Sequence, residues 1–150
     1  MDFDFLIENI PETKKAIGTD KGLAKIGDGI VNFTYSLAKS IYLTKESSGN
    51  KVFRTGEKVS KNILAKALKD AGMKPFAKNR ADSHDLANTV EAIIAYVWLK
   101  GNISIEEIVD ILLTNLTGNI SHRLKEVNNA ANAFTHLLLK IKEDLPEKEL

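Results

Sequence analysis

The stretch Asp82-Ser83-His84-Asp85-Leu86-Ala87-Asn88-Thr89-Val90-Glu91-Ala92-Ile93-Ile94-Ala95-Tyr96-Val97-Trp98-Leu99-Lys100-Gly101 decides the fold. Asp82 stands where a helix N-cap belongs, and Asp85 can return the favour as the second half of a capping box. Gly101 stands where a helix should stop. From Val90 to Leu99 the residues are apolar on nearly every side. A helix without a polar face must be surrounded by other elements, so this segment predicts the buried centre of the molecule. The run is far shorter than the roughly 20 residues that cross a bilayer.

Working outward, every neighbouring segment also reads as helix. Downstream, Ser104 caps Ile105–Leu116, with Glu107 completing a capping box and Gly118 as the stop. Ser121 opens a further helix reaching about Asp144, and the charged tail from Pro146 (146–150) follows. Upstream, Lys58–Ala71 is closed by Gly72, and Lys74–Arg80, with Pro75, is a connector. Ser47–Gly56 is polar and reads as a loop. Asp20 caps a long helix running to about Thr44, with Leu23, Ile26, Ile30, Phe33 and Leu37 spaced along one face. Met1–Ile10 is a short amphipathic piece ended by Pro11. With no hairpin signal and no repeat, 1–150 reads as one all-α domain of about five to seven helices.

Composition narrows the function. Of 150 residues, 43% are apolar and 27% charged, as in ordinary soluble domains. Cysteine is absent, which excludes a disulfide scaffold, a thiolate zinc site and a cysteine nucleophile. The first ten residues carry Asp2, Asp4 and Glu8 and no basic region, unlike a secretory leader, so a cytoplasmic protein is expected. The net charge of +1 hides an asymmetry. Residues 1–38 hold four Lys against six acids, 39–80 hold eleven Lys/Arg against three acids, and 81–150 hold six against eleven. A basic middle suits phosphate, most simply a nucleic-acid backbone. Its plainer reading is a set of solvated lysine-rich helix faces.

Two stretches could carry chemistry. In Ala24-Lys25-Ile26-Gly27-Asp28-Gly29-Ile30, two glycines interrupt a strong helix at about 1 kcal/mol each, so close approach by a helix or ligand is expected there. Asp28 lies beside the apolar stripe, where a carboxylate needs a base or a cation. In the central helix Asp85, Asn88 and Glu91 recur every three residues on one face. Glu91 could pair with Lys25 or Lys21, Asn88 could bond between helices, and Asp85 could be only a cap. His84 reads as exposed, and His122 and His136 as structural.

These stretches resemble the catalytic domain of the ribonuclease III family. Ile26-Gly27-Asp28, with Leu23 ahead, matches its Gly-Asp signature helix, and Ala87-Asn88-Thr89-Val90-Glu91-Ala92-Ile93-Ile94 matches its second motif. The likeness covers roughly 21–116 and is closest to the minimal members that lack a double-stranded RNA-binding domain. It implies an all-α nuclease domain forming a symmetric homodimer. It also implies cleavage of structured or double-stranded RNA by water activated by Mg²⁺, with Mn²⁺ as an alternative ion. Carried over residue by residue, Asp28 and Glu91 are catalytic metal ligands. Asn88 replaces a third carboxylate, and Ala24 and Lys21 stand at two further acidic positions. Asp85, one turn before Asn88, is a substitute ligand by spacing, and Glu57 matches an accessory acid of larger members. Lys58, Lys61, Lys69, Lys78 and Arg80 are the expected RNA contacts. The competing expectations are an RNA-binding protein of this fold without turnover, and a helical dimerisation domain with no nucleic-acid role.

Overall fold

Residues 2–150 are described by the computed structural model. Among them the chain forms six α-helices and no strand: α1 (Lys14–Gly18), α2 (Lys21–Glu46), α3 (Lys61–Asp70), α4 (Ser83–Leu99), α5 (Ile105–Thr114) and α6 (Arg123–Ile141). Short 3₁₀ turns occupy Asp4–Leu6, Lys74–Phe76 and Lys142–Asp144. The N-terminal piece docks by Phe3, whose ring centroid lies 5.4 Å from that of Trp98; Met1 lies outside the described residues.

The helix ends follow local chemistry. Asp82 accepts from the Asp85 N–H at 2.8 Å, and Asp85 accepts from the Asp82 N–H at 3.0 Å. Ser104 and Glu107 exchange the same pair of bonds at 3.0 Å each. Asp20 accepts from the Leu23 N–H at 2.8 Å. These bonds satisfy N–H groups that have no partner inside the helix. Gly72, Gly101 and Gly118 follow α3, α4 and α5 with φ of 70°, 79° and 67°, a conformation that β-carbons disfavour.

α4 is the axis of the molecule. α2 lies along one side of it, α3 along another, and α1 also packs against it. α6 closes over α3 and α5. From Thr89 to Val97 every residue of α4 is buried.

α2 is rolled relative to the expected stripe. Leu23 and Ile30 are buried, but Ile26, Phe33 and Leu37 are 39%, 58% and 41% exposed. The face turned inward instead carries Ala24, Gly27, Val31, Tyr35 and Ala38. Small residues at Ala24 and Gly27 let α2 approach α4 more closely than a row of bulky side chains would allow. α3 begins at Lys61 rather than Lys58, capped by Ser60. α6 begins at Arg123 rather than Ser121. α1 was not anticipated: its five residues are too few to show a period.

The segment before α3 is extended and lies along α2. Its backbone is held by α2 side chains at every fourth position. Thr44 Oγ1 accepts from the Phe53 N–H at 2.9 Å, Ser40 Oγ from the Thr55 N–H at 3.0 Å, and Ser36 Oγ from the Glu57 N–H at 3.0 Å. Asn32 Oδ1 accepts from the Val59 N–H at 2.7 Å. Ser36 and Ser40 also donate to the Glu57 and Thr55 carbonyls. Four helical residues rise about 6 Å and two extended residues about 6.6 Å, so the two periods stay matched over this short length.

Beneath this strap sits a buried ionic cluster. Lys39 Nζ lies 3.0 Å from Glu57 Oε1 and 2.7 Å from Glu126 Oε2, and the Tyr35 hydroxyl donates to Glu126 Oε2 at 2.7 Å. Burial alone would raise the Glu126 pKa, but bonds to Glu57, Lys39 and Tyr35 pull it down to about 2. Glu57 is raised, by burial first and then by sharing with Glu126. The cluster joins α2, the strap and α6.

Candidate functional site

The site begins at a backbone contact. A β-carbon built on Gly27 would fall inside the carbonyl group of Glu91, so α2 and α4 touch main chain to main chain. This contact sets Asp28, the next residue on α2, beside the Glu91 side chain, close enough for each carboxyl group to shift the pKa of the other. Neighbouring carboxylates disfavour each other's ionisation. Glu91 is only 7% exposed; burial, and then the Asp28 charge, push its pKa up to about 8. Asp28 is held below its ordinary value, by the Glu91 bond first and with help from Asn32, Lys58 and Lys61. Asn32 Nδ2 donates to Asp28 Oδ1 at 3.0 Å, and Lys58 Nζ stands 3.7 Å from Asp28 Oδ2.

The pair opens into a cleft of about 590 Å³ lined also by Lys58, Lys61, Lys78, Asn88 and Asp85. Asn88 faces this space half-buried, one turn before Glu91. Asp85 is drawn elsewhere. Its carboxylate bonds the Asp82 N–H and lies 3.4 Å from Lys78, and these two contacts, in that order, lower its pKa. It stands about 9 Å of helix rise from Glu91. Among the described residues no group of three or more His, Asp or Glu side chains is gathered. The inner donor set is therefore two carboxylates with the Asn88 amide nearby. Hard oxygen donors of this kind suit Mg²⁺ or Mn²⁺, which need few protein ligands because water and phosphate oxygens complete the shell.

Ala24 and Lys21 also line the cleft and bring no carboxylate to it. Glu91 is not paired with Lys25 or Lys21; among the described residues the cleft's ion pairs are Lys58–Asp28 and Lys78–Asp85. Of the expected RNA contacts, Lys58, Lys61 and Lys78 border the cleft. Arg80 borders a neighbouring hollow with Lys15, Lys74 and Lys78, at a φ of 57°. Lys69 is exposed on α3, away from both. Glu57 points into the buried cluster with Lys39. His84 is exposed at the cleft, and His136 is exposed on α6. Two further residues shape the site. Asn32 carried a usable signal, being four residues after Asp28 on one helix. Thr89, whose hydroxyl donates to the Gly18 carbonyl at 2.8 Å and pins α1 to α4, carried none.

Among the described residues no helix is long and apolar enough to cross a membrane. No individually curated protein matches the chain. The family model described as Ribonuclease III matches residues 21–147, which takes in the α2–α4 contact, the carboxylate pair and most of the cleft around it. The chain belongs to the ribonuclease III family.

Proposed function

We propose that the protein is a Mg²⁺-dependent endoribonuclease of the cytoplasm that cuts structured or double-stranded RNA. The observation that carries this reading is the Asp28–Glu91 pair at the head of a lysine-bordered cleft. Asp28 and Glu91 would hold the ion, with Asn88 as a neutral oxygen donor and Asp85 as an outer carboxylate at the cleft mouth. A divalent ion there supplies activation of water for attack on a phosphodiester and neutralises charge on the phosphate. To hold an ion, Glu91 would have to be ionised, as ligands bind metals in their deprotonated form. Lys58 swings from Asp28 to substrate phosphate, while Lys61, Lys78 and Arg80 hold the flanking backbone and Lys69 a more distant turn. Such contacts read the A-form shape and phosphates rather than base edges.

The test is cleavage of a labelled RNA duplex with and without Mg²⁺. Cutting that needs Mg²⁺ and is lost in Asp28→Ala supports the proposal; Mg²⁺-dependent cutting that survives Asp28→Ala refutes it. A second reading, an RNA-binding protein of this fold without turnover, is favoured by Asn88, Ala24 and Lys21 standing where the family's acids belong. It is selected by duplex binding that weakens with salt but gives no cleavage.

We also propose a symmetric homodimer through the outer face of α2. Phe33, Leu37 and Val52 are exposed there and, with Ile41, Phe53 and Gly56, line an open groove of about 760 Å³. An exposed apolar groove on one face suits a two-fold interface, because each copy offers the same patch to the other. Phe33→Glu should weaken association by about 100-fold, as a charge would be buried at the contact. Light scattering across a dilution series measures this; an unchanged dimer would place the interface elsewhere.

A further inference from the structure

Asn32 occupies a junction that the proposed ion-binding role leaves unexplained. Its Oδ1 accepts from the Val59 N–H, and its Nδ2 donates to Asp28 Oδ1. Val59 donates only an N–H, so the amide can satisfy both partners in one orientation alone. The orientation is backed further along. Val59 is the last of four strap residues held by α2, and its side chain is buried. Asp28 is thus pinned through one oxygen, leaving Oδ2 toward Lys58 and the cleft.

We infer that Asn32 is a positioning residue for the cation pair: the strap fixes the Asn32 amide, and the amide fixes the plane of the Asp28 carboxylate. This rests on the reading of the cleft as a divalent-ion site. A ligand free to rotate must lose that freedom on binding, whereas a hydrogen-bonded one has lost it already. Partners of this kind are typically worth about 10–100-fold in metal affinity.

The experiment titrates Mn²⁺ into the protein and follows water-proton relaxation, without RNA or turnover. Asn32→Leu removes both bonds. Asn32→Ser is milder, because its hydroxyl bonds back to the carbonyl of the preceding turn and cannot reach Asp28. Ser40→Ala is the control: it breaks one rung of the strap more than three turns of α2 from Asp28. Both Asn32 variants are expected to weaken Mn²⁺ binding at least about tenfold. Ser40→Ala should lower the melting temperature and leave Mn²⁺ affinity within about twofold, since that rung touches no ligand. Wild-type affinity in Asn32→Ser, or an equal loss in Ser40→Ala, overturns the inference and leaves the ion site standing. A wild type that binds no Mn²⁺ overturns both.

Discussion

Gly27→Ala is expected to cost about 3 kcal/mol, the upper range for forcing an extra methyl into a closed contact. The added carbon would meet the backbone of Glu91, which cannot rotate away as a side chain could. α2 and α4 would have to separate, and with them Asp28 and Glu91. For a chain of this size the loss amounts to roughly 6–12 °C in melting temperature. Gly29→Ala, two residues on, is the matched control. A β-carbon there meets nothing within 4 Å. It should stabilise the helix by up to about 1 kcal/mol through propensity alone. Thermal denaturation of the two variants decides the matter: equal behaviour would mean that the α2–α4 contact is not as close as described.

Glu91→Gln is expected to destroy activity while making the protein more stable at alkaline pH. The folded-state pKa of Glu91 is raised from 4.5 to about 8. Between those values the folded chain holds a proton that the unfolded chain has released. Stability therefore falls as pH rises from about 4.5 to 8, and levels off above. Glutamine keeps the shape and removes the titration. At pH 8 the variant should gain about 2 kcal/mol, and below pH 5 nothing. The gain is smaller than the full shift because Asp28 works the other way. Its pKa is lowered, so it contributes stability above its unfolded value, and Glu91 supplies part of that lowering. Cleavage, on the proposed mechanism, should fall about a thousandfold, or roughly 4 kcal/mol of barrier. Denaturant melts from pH 5 to pH 8 check the first half. A wild type without that slope, or a glutamine variant that keeps it, would remove the buried acid as its cause. Added Mg²⁺ should flatten the wild-type slope, since a cation compensates the buried charge.

The site was legible where its signals are local. Asp82 with Asp85 and Ser104 with Glu107 reach only three residues along the chain, so their caps can be read from spacing. Gly27 was legible because glycine inside a strong helix carries a cost that a close contact explains. Glu91 stood out as an acid in the most apolar run. The roll of α2 was not legible: Ile26, Phe33 and Leu37 keep helical spacing whether they face the core or the outside. Nor was the Lys39–Glu57–Glu126 cluster, whose partners lie 18 and 87 residues apart. Asp85 satisfied two patterns at once, ligand spacing and capping box, and spacing cannot rank them. The strap was missed because 52–59 has no strand partner to betray it. Its alternation of half-buried Phe53, Thr55 and Glu57 with exposed Val52, Arg54 and Gly56 is strand-like, but the other edge belongs to a helix.

The strap is gripped by its main chain alone at the Thr44, Ser40 and Ser36 rungs. Its register is therefore written in α2, and the outward side chains at Val52, Arg54 and Lys58 are under no obligation to that register. A substitution at those positions would alter what the groove and the cleft present while leaving the main-chain framework beneath them in place. A substitutable surface is in this way laid over a framework that α2 alone dictates.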